Sequence, residues 1–498
     1  MADTKEPLLL SKDVSENEID NKNKNKYECD EKCSGCQIER RKAEDPNIPW
    51  SNFVFIWVIT LTSALPITFI FPFLYFMVRD FGIATQEEDV SFYAGFEGSA
   101  FMVGRVFTSV IWGMLADRYG RRPVMIFSTS AIVLFNIMFG LSANYWMALT
   151  SRMLLGAFCG AIGPMRAYAT EVTRREHQAL ALSMMTSAWG IGLVIGPALG
   201  GYLAQPADKF PGLFSQQSIF GKFPYLLASL IIAIAALCVI PICFYLPETL
   251  HTCEQHAHGI IHDQAHDIED AEKSKNTSRS SSSWFSLLRN WPLMSSIIVY
   301  CVFQLHDMAY TEIFSLWTVS PRDIGGLSFS TEDAGQALVV AGIGLLICQL
   351  LIYPTFERHF GPVLVARVGA VLSIALLSSY PFLTYLKGSI LLIVTDLASA
   401  LKNVLSISIA TGLFLLQNRA VHQHQRGASN GISLSLISFF KALGPAAAGA
   451  LLSWSQTRKN ATFLPGSHIV FFVLNVIEFV GLLMTFKPFL AKPAQEFC

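Results

Sequence analysis

Long apolar segments constrain this chain more strongly than any other feature. Runs of about 20 mostly apolar residues recur along the sequence, and a helix of that length crosses the roughly 30 Å hydrocarbon layer of a bilayer. Lipid offers the backbone no hydrogen-bond partner, so such segments must be helical. Hydrophobic residues make up 52% of the chain and charged residues 15%, which leaves too few polar side chains to cover a soluble particle of 498 residues.

We therefore predict an all-α membrane protein with 12 transmembrane helices in two six-helix bundles. The predicted spans are 53–78, 93–114, 124–143, 146–170, 179–203 and 223–246, then 293–316, 334–353, 361–383, 390–416, 428–453 and 468–486. A His- and Ser-rich stretch between the bundles is typical of a flexible linker. The predicted domain boundaries are a tail with a CxxC motif at 1–50, bundles at 51–246 and 291–488, the linker at 247–290 and a tail at 489–498.

The two predicted bundles share sequence patterns. The charged turn 117–121 after the second span has a degenerate echo at 357–361 after the eighth, and the Gly-Pro pair 196–197 recurs at 444–445. Weak self-similarity of this kind is typical of carriers that bind substrate between two repeats near the membrane midplane.

Charge distribution indicates the orientation and excludes some partners. The first fifty residues are polar and contain no signal-peptide pattern, and the main basic loops share their side of the membrane, so we expect the N-terminus and the linker in the cytosol. A net charge of −1 without a basic patch argues against a nucleic-acid partner. With no phosphate-binding loop and no nucleophile elbow, the chain is not expected to be an enzyme.

A charged turn follows the second span. It combines a small residue, an acid at a helix end, a turn glycine and a basic cluster, namely Gly113, Asp117, Arg118, Gly120, Arg121 and Arg122. Charged pairs at such a turn hold two helix ends together in one conformer and break in another, so we interpret these residues as a conformational gate. The alternative is a basic turn that only obeys the positive-inside rule.

The fifth span is rich in small residues. Its pattern consists of Ser183, Gly192, Gly196, Pro197, Gly200 and Gly201. Glycines four residues apart let a neighbouring helix approach closely, and a proline bends the helix. Ordinary helix packing is the alternative to a transport role.

Ionisable residues at membrane depth are costly, so each is a candidate for substrate or proton coupling. Those we select are Arg105, Arg152, Arg166, Asp307 and Lys402. Arginines bind carboxylates through paired hydrogen bonds, so a cavity with Arg105 and Arg166 on one wall and Lys402 on the other would suit a carboxylate-bearing solute. Asp307 would accept an amine or carry the proton.

Four further residues at membrane depth have competing interpretations. Glu97 and Asp396, like the candidate Arg166, fall nearer span ends, where solvation at the interface is an equal alternative. Lys441 and Glu478 would equally form a structural ion pair.

Cysteines and histidines on the expected cytosolic side have spacings that Zn²⁺ can use. They are Cys33, Cys36, His251, Cys253, His256 and His258. A solvated loop without a defined metal site is the alternative, and no disulfide framework is expected there.

These motifs together resemble the plant zinc-induced facilitator-like family of the major facilitator superfamily. The resemblance rests on the cysteine pair 33–36, the charged turn 112–122, the span 183–201, which is similar to the antiporter motif of proton-coupled exchangers, and the segments 247–251 and 306–317. Ser34 and Cys253 depart from the family pattern, where Pro and a second His are usual.

The resemblance implies the major facilitator fold and proton-coupled antiport of small organic solutes. It implies metal chelators such as nicotianamine or phytosiderophores as cargo, with a contribution to zinc and iron homeostasis. Potassium transport, transport of an auxin-like organic anion, and a zinc-sensing transceptor are the alternatives. The expected partners are a small-molecule substrate, protons and the lipid bilayer, and the expected state is a monomer. No cofactor is expected to be required, with Zn²⁺ at the Cys/His segments left as a hypothesis. The vacuolar membrane is the expected location, with the plasma membrane as the alternative.

Overall fold

The computed structural model describes residues 33–45, 49–174, 177–250, 287–348, 352–421, 426–458, 461–462 and 464–491. Within these ranges the regular structure is helical. The first half contains α1 (Ser34–Glu44), α2 (Trp50–Thr68), α3 (Leu74–Asp80), α4 (Glu87–Tyr119), α5 (Arg121–Gly140), α6 (Tyr145–Phe158), α7 (Ile162–Val172), α8 (Gln178–Leu203), α9 (Pro206–Lys209), α10 (Ile219–Lys222) and α11 (Leu226–Tyr245). The second half contains α12 (Trp291–Val319), α13 (Thr331–Ile347), α14 (Tyr353–Phe360), α15 (Pro362–Ser379), α16 (Gly388–Arg419), α17 (Arg426–Thr457) and α18 (Ser467–Met484).

Each predicted span coincides with one helix or with a broken pair. In the described part of the chain, eight helical segments are long and apolar enough to cross a membrane by length and composition alone. The first span is broken between α2 and α3, where Pro72 lacks a backbone N–H and cannot continue the hydrogen-bond ladder. The fourth is broken between α6 and α7 at Gly160.

The two halves meet where glycines let backbones touch. Helix α4 packs on α17, and a methyl group at Gly95 would lie 2.5 Å from the Pro445 carbonyl oxygen and 2.8 Å from Gly449 Cα. Helix α8 packs on α13, and a methyl group at Gly201 would lie 3.0 Å from Gly335 Cα. Only glycine permits such close contact between helices of different halves.

Polar contacts reinforce this junction, which we call the closed end. Lys209 Nζ donates to the Thr331 hydroxyl at 2.7 Å and lies 3.5 Å from Glu332 Oε1. Burial lowers the pKa of Lys209, and the neighbouring Glu332 carboxylate partly offsets this shift. Ser91 Oγ and Gln456 Oε1 are 3.3 Å apart, and Gln456 Nε2 donates to Ser320 Oγ at 3.0 Å.

The opposite ends of the helices form what we call the motif end, around Gly120 and Gly361. Both glycines have positive φ, +105° and +75°, at tight connections between consecutive helices. These equivalent turns in the two halves correspond to the repeat predicted from the sequence.

Candidate functional site

Charged side chains from both halves face one another in the centre of the molecule. Arg105 on α4 and Arg166 on α7 belong to the first half, and Asp307 on α12 and Lys441 on α17 belong to the second. Lys441 interacts electrostatically with the other three, and Arg166 interacts with Tyr300 on α12. We call these five residues the central cluster.

The side chains of the central cluster are not closely packed, and we call the accessible space between them the cavity. The Arg166 side chain is exposed although α7 lies inside a membrane span, and the other members are half-buried. Three cations and one carboxylate leave an excess of positive charge, which suits an anionic solute. The sequence predicted Arg105, Arg166 and Asp307 as candidates, and they lie together here.

Lys402 does not lie on the opposite wall of this cavity, where we had expected it. It is fully buried in the second half, with Nζ donating to Ser406 and lying 5.0 Å from the centre of the Tyr310 ring. The second half instead contributes Lys441 to the cavity, in the role that we expected for Lys402.

Lys402 belongs to a separate buried group with His306 and Glu478. His306 Nδ1 lies 2.7 Å from Glu478 Oε2, and both side chains are 1% exposed. Lys402 interacts electrostatically with Glu478. The ion pair considered between Lys441 and Glu478 is therefore not formed, because His306 is the neighbour of Glu478 and Lys441 lies in the central cluster.

Arg152 lies in a third group, near the closed end. Its Nη1 donates to the Pro66 carbonyl at 2.5 Å, and it interacts electrostatically with Glu97 and Glu312. Glu97 is 1% exposed, so its solvation at the membrane interface is excluded. Glu312 is a candidate that we missed in the sequence, although an acid within a predicted span was a sufficient signal.

The charged turn forms a network at the motif end. Glu248 Oε1 and Oε2 accept from the backbone N–H groups of Arg121 and Arg122 at 2.9 and 3.0 Å, which stabilises the start of α5. The Arg121 side chain pairs with Glu171 at 2.9 Å. Glu248 and Glu171 were not predicted as site residues. The sequence feature that could have identified them is an acidic residue at the end of a span, on the same side of the membrane as a basic loop.

Other members of the predicted gate make fewer contacts. Arg118 and Arg122 lie over the rings of Tyr119 and Phe244 at 5.6 and 5.9 Å. A methyl group at Gly113 would meet nothing within 4 Å. The Asp117 side chain lies outside the described part of the structure.

The small residues of the fifth span pack against the first. Methyl groups at Gly192, Gly196 and Gly200 would collide with Ala64, Thr68 and Phe69 of the first span, and Thr68 Oγ1 donates to the Gly192 carbonyl at 2.9 Å. Pro197 lies inside α8, next to the contact between the halves at Gly201. Helix packing thus explains the glycines, and the Ser183 side chain is outside the described residues.

The Cys/His segments lie largely outside the described residues, since His251, Cys253, His256 and His258 are not among them. Cys33 is buried at the start of α1. Cys36 is disulfide-bonded, although no disulfide framework was expected on this side, so it offers zinc no thiolate. In the part of the chain that the structure describes, no group of three or more His, Cys, Asp or Glu residues is placed to hold a metal ion.

Two helical halves that close at one end around a charged central cavity define a membrane transporter. The Major Facilitator Superfamily model matches residues 56–445. The crystal structure of a D-xylose–proton symporter has the same fold, with a TM-score of 0.67 at 13% identity over 89% of this chain and 98% of that one. The prediction of a major facilitator fold is confirmed.

Two curated relatives from Arabidopsis thaliana narrow the family. Zinc Induced Facilitator-Like 1 is 53% identical over 470 residues, which cover 93% of this chain and 97% of that protein. Zinc Induced Facilitator 1 is 52% identical over 92% of this chain and 95% of that protein. The chain therefore belongs to the zinc-induced facilitator-like family, as the sequence motifs predicted. It is a transporter and not an enzyme, and transporters of this superfamily need no cofactor.

Proposed function

We propose that this chain is a proton-coupled antiporter that exports small carboxylate-bearing organic solutes from the cytosol. The cargo class comprises metal chelators such as nicotianamine or phytosiderophores, so the protein contributes to zinc and iron homeostasis. It acts as a monomer in the vacuolar membrane, and the plasma membrane is the alternative. The central cluster is the observation that carries the proposal.

The charges of the central cluster match such a cargo. Arg105, Arg166 and Lys441 bind carboxylates, and Asp307 accepts an amine, so a solute with several carboxylates and amines engages both signs. With the N-terminus in the cytosol, the motif end is cytosolic. Closure at the opposite end then corresponds to the conformer that loads cargo from the cytosol.

Transport by reconstituted protein tests the proposal. In proteoliposomes with an acidic interior, wild-type protein should accumulate labelled nicotianamine, and dissipating the pH gradient should abolish this accumulation. The Arg166→Gln variant should lower uptake by roughly 10–100-fold, because a hydrogen bond to a charged group contributes about 1.5–3 kcal/mol. Arg289→Gln, at an exposed arginine outside the cavity, is the matched control and should transport normally.

The same vesicles separate the alternatives. An auxin-like monocarboxylate would also bind the positive cavity, so uptake of such an anion without uptake of nicotianamine would replace the chelator cargo. Gradient-driven potassium flux would indicate the potassium alternative. A lack of gradient-dependent flux for every solute tested would instead favour a sensing role for the Cys/His segments.

A further inference from the structure

Two buried carboxylates meet across the boundary between the halves. Glu97 on α4 is 1% exposed and Glu312 on α12 is 0% exposed, and they interact electrostatically. A methyl group at Gly98 would lie 2.7 Å from Glu312 Oε2, so the acid of the second half lies directly against the helix of the first. In the described structure, none of the four carboxylate oxygens has a hydrogen-bond partner.

Few other charged groups surround this pair. Helix α6 contributes Arg152, which interacts with both acids, and Tyr145, which interacts with Glu97 and donates its hydroxyl to the Tyr93 carbonyl at 2.9 Å. Cys159, which follows α6, interacts with Arg152. The neighbouring first span contributes the uncharged Pro66 carbonyl, and α17 contacts α4 nearby through the uncharged Gly449 at Gly95 and Gln456 at Ser91.

The charges of this group do not balance when both acids are ionised. Two buried carboxylates and one buried guanidinium then carry a net charge of −1, and the carboxylates repel each other. Of two acids buried close together, one therefore keeps its proton. With one proton bound, the group is neutral overall.

We propose that Glu97 and Glu312 form a shared proton-binding site whose occupancy keeps the closed end closed. The site lies beside the Gly95–Gly449 contact, on the same helix as Gly95. When the proton leaves for water, the two carboxylates repel and the halves separate at this end, which hydrates both acids. Protonation from the side of the closed end lets the halves close again.

This inference rests on the proposed proton coupling and gives it a direction. An acidic compartment at the closed end protonates the pair and closes that end, which opens the cavity to the cytosol. Release of the proton to the less acidic cytosol then favours opening toward the acidic compartment. Each cycle thus moves a proton into the cytosol while cargo moves out of it.

Hydrogen exchange of the full-length protein in detergent tests the site without any cargo. After correction for intrinsic exchange rates, peptides that cover residues 87–98 and 446–457 should exchange faster as the pH rises. The expected increase is about tenfold per pH unit within the titration range, since one proton is bound in the closed form only. In Glu312→Gln and Glu97→Gln, exchange should be slow and independent of pH, because Arg152 balances the one remaining carboxylate, which no longer has a like-charged neighbour and needs no proton.

Asp323→Asn, at an exposed acid of the closed end, is the matched control and should keep the pH dependence. If both glutamine variants also keep it, or if wild-type protein has none, the proton site is overturned. Thermal melting of each variant establishes that it is folded, and each glutamine variant tests the site independently of the other.

Nicotianamine uptake by the same preparation keeps this failure distinct from failure of the proposed function. Uptake without a pH-dependent closed end overturns only the proton site. A pH-dependent closed end without gradient-driven uptake overturns only the proposed function.

Discussion

Buried ionisable residues were visible in the sequence, but their partners were not. The rule that charges at membrane depth are functional candidates selected Arg105, Arg166 and Asp307, which the fold brings together. It did not indicate that Lys402 faces the interior of its own half. Position along a helix gives depth in the membrane, whereas the partner of a side chain depends on how separate helices are rotated against each other.

Glu248 illustrates a residue whose role only the tertiary structure defines. Its carboxylate accepts from two backbone N–H groups at the start of α5, so Glu248→Ala should lower stability by about 1–2 kcal/mol, as loss of a helix cap does. Thermal melting of the purified protein checks this. Glu44→Ala removes a glutamate from an exposed ion pair with Arg40 and should change the melting temperature far less. Equal shifts in both variants would contradict the capping role.

Lys209 is a second such residue, because its contacts cross from one half to the other. Lys209→Met removes the hydrogen bond to Thr331 and the ion pair with Glu332, so the closed end should open more often. Hydrogen exchange of a peptide over residues 326–335 should accelerate by roughly tenfold, since a charge-assisted bond contributes about 1.5 kcal/mol. Lys222→Met, at an exposed lysine of the same half, is the control. Unchanged exchange in Lys209→Met would exclude a latch.

At the scale of helices, the predicted spans correspond to helices of the described structure, but two of these helices are broken. The breaks follow α2 and α6, at Pro72 and Gly160. Apolar composition continues across these breaks, so hydrophobicity alone does not reveal them. The free carbonyl of Pro66, near the end of α2, is the acceptor for Arg152, which explains why an uninterrupted helix would not serve here.

The close contact between helices α4 and α17 depends on the glycine at position 95. Gly95→Ala places a methyl group 2.5 Å from the Pro445 carbonyl oxygen, so the two halves cannot meet at the closed end. Backbone hydrogen exchange at the closed end should then be as fast as at helix ends that lack a partner. Gly163→Ala is the control, since a methyl group there meets nothing within 4 Å. Gradient-driven uptake should fall in the first variant and persist in the second. Slow exchange at the closed end in Gly95→Ala would contradict this prediction, because α4 and α17 would then accommodate the added methyl group by moving slightly apart.

At the scale of the whole molecule, the relation of the two halves decides what the charged groups do. Glu97, Arg152 and Glu312 come together in this arrangement, in which the halves meet at the closed end. The closed end carries contacts at Gly95, Gly201 and Lys209, so it is held by close packing with a few polar bonds. A junction of this kind can exchange with a similar one at the other end at low cost.

The sequence by itself determined the helical membrane architecture, the division into two halves and the family. These follow from apolar length, from internal repetition and from local motifs, which are properties of neighbouring residues. Only the tertiary structure decided that Glu97 meets Glu312, that Lys441 rather than Lys402 faces the cavity, and which end is closed. Those contacts join residues far apart in the chain, and their geometry depends on helix rotation and on the packing of one half against the other, which no local pattern encodes.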